Sequence, residues 1–521
     1  MPYYSLNLTG NGDISRMCGI AGIWGKADKE IVKDMMGKLA HRGPDAEGMH
    51  VNPSLGVLGH RRLSIMDPHG GDQPIYSEDG SSCIVANGEI YNFPRLRVDL
   101  QDDHEFRTGN DSEAILHLVE DLGPSAVRAL DGMFAFAVDR GESLFLARDP
   151  IGIKPLYYGI RENGTPNRVI CFASELKALV DKVDDAHEFP AGTCYLSESG
   201  FKPYYRVPDL TPRDIPAEMV QRTLRETLEE AVVKRLMSDV PLGAFLSGGI
   251  DSSIIAAIVR KHLDSLHTFS VGTEGSRDLE AARIVAEHIG SIHHEYVYTP
   301  EEVLEKLPDI VYHLESFDQD LVRSAIPCYF CSRLAADHVK VILTGEGADE
   351  LFAGYTYYRE ISDPEALRKE LRRSVTSLHN LNLQRVDRLT MAHGLEGRVP
   401  FLDLAMVELA QVIPPQLKLR GEKDEHLVEK WILRQACEDL LPPEILCRRK
   451  EQFDEGSGTV ELLGDVIVRA TEGMDSAAYA DRFPEDSLRS PEECYYHKLL
   501  RDVFPNPKIV LQNVASWAQA T

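Results

Sequence analysis

The sequence predicts two domains of different class: an α+β layered front half and an α/β rear half built on a parallel sheet. Three observations predict this. The chain has 521 residues, more than one ordinary core spans. Short strand-like runs broken by Gly, Asn and Asp fill the stretch from Met17 to Ser199, whereas strands alternate with helices after Met219. Between them, FKPYYRVPDLTPRDIPAE carries four prolines (Pro203, Pro208, Pro212, Pro216), which remove backbone donors and read as a linker.

In the front half the runs are CGIAGIWG, LGVLGHRRLSIMD, CIVANGEIYN, MFAFAVDR and LFLARDP. DSEAILHLVEDLG interrupts them with apolar residues at helical spacing and stops at Gly123, so the layers are mixed α+β. After the linker, VQRTLRETLEEAVVKRL is a long amphipathic helix that leads into the apolar segment PLGAFLSGG. Helix DSSIIAAIVRKHL, strand HTFSVG, helix LEAARIVAEHIG and strand VKVILTGEG follow, the alternation of a parallel sheet covered by helices. From about Val386 onward the pattern is mostly helical.

Composition narrows the class. Apolar residues make up 43% and charged residues 27%, ordinary for a globular chain. The net charge of -27, from 83 acids against 56 bases, repels phosphate backbones and disfavours a nucleic-acid partner. No apolar run has the roughly 18 to 20 residues that cross a bilayer, and MPYYSLNLTGNGDISR lacks a secretory pattern. The expectation is a cytoplasmic protein without a membrane partner. Nine scattered cysteines fit reduced, mostly packed thiols, and Cys328 and Cys331 are expected to be two such thiols on a helix.

LSGGIDSS, residues 246 to 253, follows an apolar strand and opens a helix. Its glycines let the backbone approach a phosphate, and the helix N-terminus favours anionic charge. Without the Walker A lysine it is no kinase-type loop. Asp251 stands where a carboxylate holds Mg²⁺ on a pyrophosphate group. TGEGADELFAGY also follows an apolar strand, so in a parallel sheet both loops face one crevice. Glu346 and Asp349 are the acids expected at the phosphates, with Glu350 in a solvated turn.

At the front, Cys18 follows Met17 and precedes Gly-Ile-Ala-Gly. No His lies near it in sequence, and a terminal cysteine has its own α-amino group as base. Removal of Met17 would supply that terminus. Asn87 and Gly88 suit an oxyanion hole, and Arg62 and Asp111 suit the carboxylate and amine of an α-amino acid. Taken singly, these read as a turn Asn-Gly, a surface Arg and a helix N-cap.

Together the motifs closely resemble class II glutamine amidotransferases joined to an ATP-pyrophosphatase-like domain, the arrangement of the glutamine-dependent asparagine synthetase family. The resemblance runs from Met17 over nearly the whole chain: MCGIAGI, HRGPD, GHRRLSIMD, NGEIYN, TGNDSE, GMFAFA, RDPIGIKPLYY, FASELKAL, FPAGT, LSGGIDSS, TGEGADELFAGY, RVPFLD and RRKEQF, in order. It implies an Ntn-type αββα glutaminase sandwich over residues 18–203, a linker over 204–219 and a synthetase domain over 220–521 with a helical C-terminal part. Residues 1–17 become an extension or a mis-called start. Cys18 is then the nucleophile, with Asn87 and Gly88 as the oxyanion hole. Arg62, Leu63, Ser64, Ile65, Met66, Asn87, Gly88, Glu89 and Asp111 bind glutamine. Phe245, Leu246, Val271, Thr344 and Gly345 line ATP, and Ser247, Gly248, Gly249, Asp251 and Ser252 hold its pyrophosphate. Asp251 and Asp349 take Mg²⁺, Glu346 is the catalytic acid, and Lys450 steadies phosphate charge. Its plainer reading is one more basic residue in Arg448-Arg449-Lys450.

The implied substrates are glutamine, aspartate and ATP, with ammonia passed through an internal tunnel; a homodimer is entertained. The chain departs from the family's pattern in two places. Sixteen residues precede Met17, and Asp320-Leu321 stand before Arg323 where family members carry two threonines near the acceptor. The rival reading keeps the chemistry on a different carboxylate; a non-catalytic module is disfavoured by the joint retention of Cys18, Asp251, Glu346 and Lys450.

Overall fold

The structure, a computed structural model, describes residues 18–43, 45–161, 169–421 and 427–516. The expected extension, residues 1–17, lies outside them.

Twelve strands build the front half: β1 (Gly19–Trp24), β2 (Ala46–Asn52), β3 (Gly56–Arg62), β4 (Ile75–Tyr76), β5 (Cys83–Ile90), β6 (Gly132–Asp139), β7 (Leu144–Arg148), β8 (Tyr157–Arg161), β9 (Val169–Ala173), β10 (Asp185–Glu188), β11 (Thr193–Leu196) and β12 (Gly200–Pro203). They form two six-stranded sheets, ordered β10-β8-β9-β1-β3-β2 and β12-β11-β7-β6-β5-β4. Neighbours pair antiparallel, as in Gly19↔Arg61 and Asn87↔Ala135.

Alternation along the strands shows why the runs read as continuously apolar: both faces are covered. Ile20 and Trp24 of the first sheet pack with Val85, Ala135, Ala137 and Leu146 of the second in one inner core. Ala21 and Ile23 point the other way, against Val32, Met35 and Met36 of α1 (Lys29–Lys38). Phe134, Phe136 and Phe145 likewise meet α2 (Phe93–Leu100) and α3 (Ser112–Leu122). The layers are helix, sheet, sheet, helix, the αββα sandwich expected. Helix α3 stops where the sequence predicts, because Gly123 takes a φ of 55°.

After β12 the next element is α4 (Ala217–Lys234), the predicted amphipathic helix. The rear half carries β13 (Leu242–Phe245), α5 (Ile250–His262), β14 (His267–Gly272), α6 (Arg277–Ile289), β15 (Ile292–Val297), α7 (Pro300–Leu314), α8 (Gln319–Ala336), β16 (Val341–Leu343) and β17 (Glu396–Arg398). All pairings in the sheet β15-β14-β13-β16-β17 are parallel. Beyond Val386 the described residues are mostly helical, as expected, with the short strand β17 among the helices. Three residues are too few to show a period of two, and pairing with β16 makes them a strand. Cys328 and Cys331 are buried on α8 as free thiols, as expected.

Candidate active sites

Cys18 sits at the start of β1, and Leu63 lies just past the end of its neighbour β3. The Cys18 Sγ is 3.4 Å from the Leu63 N–H and 3.6 Å from the Leu63 carbonyl. Burial pushes the thiol up to about 12, more than the Leu63 contact lowers it, so the thiolate needs a base. Facing it from the other sheet, β5 brings Asn87 and Gly88. The Asn87 amide is 1% exposed, and neither its oxygen nor its nitrogen has a hydrogen-bond partner among the described residues. Such a buried orphan is costly unless a ligand completes it. Gly88 has a φ of 151°, and a Cβ there would fall 2.0 Å from the Met133 carbonyl, so only glycine fits.

Cys18, Leu63, Ile65, Met66, Asn87, Gly88, Glu89 and Asp111 line one cavity, with Gln73, Ala86, Asn110, Ser112 and Glu396. Burial lifts the Asp111 carboxyl to about 7, although it accepts the Ile90 N–H at 2.6 Å. Burial and then the Glu396 and Asp111 charges push Glu89 well above the carboxylate range. Arg62 and Ser64 are not in the lining. The plain reading of Arg62 as a surface residue is corrected: it is 3% exposed and donates to Asp72 and to the Asp67 carbonyl, each at 2.6 Å. The Ser64 N–H donates to Asp45. Sequence reasoning missed Gln73, whose Oε1 accepts the Ala86 N–H at 2.6 Å, and Glu396, which reaches this cavity from the rear half. The RVPFLD motif lay beside Glu396, and its neighbour Arg398 was the available signal.

In the rear half, β13 and β16 are adjacent and parallel, so their carboxyl ends deliver the two loops to one crevice. That crevice is lined by Phe245, Leu246, Ser247, Gly249, Asp251, Ser252, Val271, Thr344, Gly345, Glu346, Asp349 and Lys450. Gly248 is absent from the lining; with φ of 68° and a Cβ site 2.4 Å from that of Ala281, it turns the loop tightly onto α6. Ser252 Oγ accepts the Ser247 N–H at 3.2 Å and holds the loop closed at the start of α5.

The acids are matched by lysines. Lys430, fully buried, sits 2.5 Å from Asp251 Oδ2 and 2.6 Å from Asp349 Oδ1. Lys450 lies 2.8 Å from Asp349 Oδ2, which gives it a role beyond a basic run. Burial alone would raise Asp349, but the two lysines outweigh it and hold the carboxyl at about 2. Asp251 Oδ1 is buried without a hydrogen-bond partner among the described residues, so an oxygen lone pair is available to a hard cation. The carboxylate donor set therefore fits Mg²⁺. Glu346 pairs with Arg385, and Arg448 donates to the Ser247 carbonyl at 3.2 Å. Lys430, Arg385 and Arg448 escaped sequence reasoning. No sequence signal pointed to Lys430; in the fold Gly354 permits its close approach, since a Cβ there would meet Lys430 Cε at 2.2 Å.

Glu350 is a correction. It is 1% exposed rather than in a solvated turn, and it accepts from the Tyr355 hydroxyl at 2.5 Å and from Asn382 at 3.2 Å. Its short helix, Ala348–Phe352, packs inward, and burial with the Asp349 charge lifts its carboxyl to about 7. Asp320 and Leu321 do not line the crevice: Asp320 lies 3.2 Å from Arg489, and Leu321 is buried on α8.

A sandwich with a cysteine at its mouth, joined to a parallel sheet with a serine–glycine loop, defines a glutamine amidotransferase domain fused to a nucleotide-loop domain. The chain belongs to the asparagine synthase family. The asparagine synthase model matches residues 223–366 and 359–509, and a glutamine amidotransferase domain model matches residues 17–205. Similar proteins include asparagine synthetase [glutamine-hydrolyzing] 2 of Oryza sativa subsp. japonica, 38% identical over 94% of this chain and 86% of the relative. The Arabidopsis thaliana protein of the same name is 38% identical, covering 94% and 88%, and the asparagine synthetase [glutamine-hydrolyzing] of Asparagus officinalis is 39% identical, covering 94% and 86%.

Proposed function

We propose that the chain makes asparagine from aspartate, glutamine and ATP, releasing glutamate, AMP and pyrophosphate. The supporting observation is the convergence, in one chain, of a cysteine cavity with an unpartnered oxyanion-type amide and a phosphate-type crevice with paired acids and lysines. Residues 18–203 are the glutaminase, 204–219 the linker and 220–521 the synthetase.

In the glutaminase, the Cys18 sulfur attacks the carboxamide carbon, and the Asn87 amide with the Gly88 N–H stabilises the oxyanion. The α-amino group of a terminal Cys18 takes the thiol proton and passes it to the leaving nitrogen, ammonia departs, and water cleaves the thioester to glutamate. Asp111 and Glu89 hold the amino acid's amine. In the synthetase, an oxygen of the aspartate side-chain carboxylate attacks the α-phosphorus and pyrophosphate departs. Ammonia then attacks the acyl carbon, Glu346 takes its proton, and AMP leaves. Lys450 offsets phosphate charge along the crevice, and Lys430, buried behind the lining, holds Asp251 and Asp349 in place. Asp251 and Asp349 are the ligands for Mg²⁺, which neutralises the leaving pyrophosphate when bound. Enclosure between the sites keeps ammonia unprotonated and nucleophilic. Asp320 and Leu321 lie outside the nucleotide-crevice lining, and the likeness to asparagine synthetases over 94% of the chain supports aspartate as the acceptor. A cytoplasmic setting fits the nine free cysteines, and no helix of the described residues is long and apolar enough to cross a membrane.

The test is protein beginning at Cys18, given ATP, Mg²⁺, aspartate and glutamine. Asparagine and AMP form in equal amounts. Glutamine hydrolysis without aspartate-dependent pyrophosphate release would overturn aspartate as the acceptor.

A further inference from the structure

Away from both active sites, three histidines from three separate elements meet at the amino-terminal side of the parallel sheet. His267 is the first residue of β14, His294 lies in β15 opposite Phe269, and His338 stands in the turn between α8 and β16. One ring nitrogen from each lies within 4.8 Å of the others. His267 Nδ1 and His294 Nε2 are 2.9 Å apart and share a hydrogen, and the His294 and His338 ring centroids are 4.0 Å apart. His267 and His294 are half-buried, whereas His338 is exposed.

We propose that His267, His294 and His338 form a binding site for a borderline divalent metal ion of the zinc class. Three imidazoles with neither thiolate nor carboxylate suit Zn²⁺, Ni²⁺ or Cu²⁺ and reject Mg²⁺ and Ca²⁺, which take oxygen ligands. The geometry is close to what an ion requires. Two nitrogens on one tetrahedral zinc stand about 3.3 Å apart, given bonds near ~2.0–2.1 Å. Opening the His267–His294 pair by a few tenths of an ångström makes room, and the shared hydrogen is what the ion displaces. The exposed edge at His338 leaves a coordination position for water.

A second cluster makes the contrast. Around His117 the ring faces the carboxylates of Glu78, Glu113 and Glu120.

An ion at the first cluster would tie β14 and β15 to the α8–β16 turn. Phe269 joins this cluster to the nucleotide crevice: its ring stacks on His294, with centroids 5.1 Å apart, and also lines that crevice. The role is structural, because the cluster opens at the opposite end of the strands from the nucleotide loops.

The experiment uses untagged full-length protein treated with chelator and then titrated with Zn²⁺, and in parallel with Co²⁺ read by visible absorption. The expected result is saturation at one equivalent per chain, a histidine-ligated Co²⁺ spectrum and a raised melting midpoint. H338N, at the exposed corner, and the H267N/H294N pair each lose that equivalent; H104N, in the second cluster, keeps it. Ammonia-driven synthesis in H338N reports that the variant is folded. Absence of saturable binding, or an equivalent that survives in H338N and moves with H104N, overturns the proposal. Neither result depends on which carboxylate the enzyme amidates.

Discussion

Arg398 and Glu89 form an ion pair that joins the two halves of the chain, with Arg398 Nη2 3.4 Å from Glu89 Oε1. Glu89 lines the glutamine cavity, while the Arg398 carbonyl accepts the Thr344 N–H at 3.0 Å at the edge of the nucleotide crevice. One fully buried residue therefore touches the framework of both sites. It also donates to Glu396 at 2.8 Å and to the Met237 carbonyl at 2.6 Å.

Replacing Arg398 with Met removes the cation beside Glu89 and leaves Glu396 with Lys154 alone, 3.3 Å away. Breaking one side of a buried pair costs about 3–5 kcal/mol, so R398M should unfold at a clearly lower denaturant midpoint. Adding E396Q should recover part of the loss. A midpoint unchanged in R398M would show that the carboxyls are already neutral.

Cys18→Ala should abolish glutamine-dependent synthesis and leave ammonia-dependent synthesis in place. Parallel loss of both activities would make Cys18 a packing residue. The Cys18 thiol, pushed up to about 12 by burial, points to the base it needs. Protein whose N-terminus is Cys18 should hydrolyse glutamine, and protein that retains residues 1–17 should not. Intact mass assigns the terminus in each preparation.

Lys430 between Asp251 and Asp349 makes a third prediction. K430M leaves the buried Asp251 and Asp349 carboxylates without the cation that sits between them. Aspartate-dependent pyrophosphate release should fall, while glutamine hydrolysis persists. Equal loss in both assays would mean a folding defect.

His117 sets a pH dependence of stability. Burial alone would lower its imidazole, but bonds to Glu113 and Glu120 outweigh burial and lift it to about 9. A histidine raised above its unfolded value contributes stability that is full below about pH 6.5 and is lost as pH rises through about 9. Urea midpoints should decline over that window, and H117Q should flatten the decline. An equal slope in both proteins would assign it to other groups.

Much of this was legible in the primary structure because local physics expresses it. Continuous apolar strands, a helix stop at Gly123, a proline-rich joint and two glycine-bearing loops after apolar strands each leave a pattern within a few residues. Ser247, Asp251 and Asp349 could be assigned to one crevice because parallel strands always open their loops at one end. Glu350 could not be placed, because whether an acidic turn faces solvent or core depends on Tyr355 and Asn382, which only packing brings to it. Strand β17 was invisible for the same reason.

The sequence by itself determined two halves of different layer class and the glycine-bearing loops after β13 and β16, since those rest on periodicity and short-range spacing. The roles proposed for Cys18 and the phosphate loop come from the family resemblance. Tertiary structure alone decided where the charges go. It seated Lys430 between Asp251 and Asp349, 179 residues from the first of them, and turned Arg62 inward to Asp72. It also passed Arg398 across to Glu89 and drew three histidines from β14, β15 and the α8–β16 turn to one point. A buried charge must find its partner wherever the fold puts one, and linear spacing carries no record of that choice.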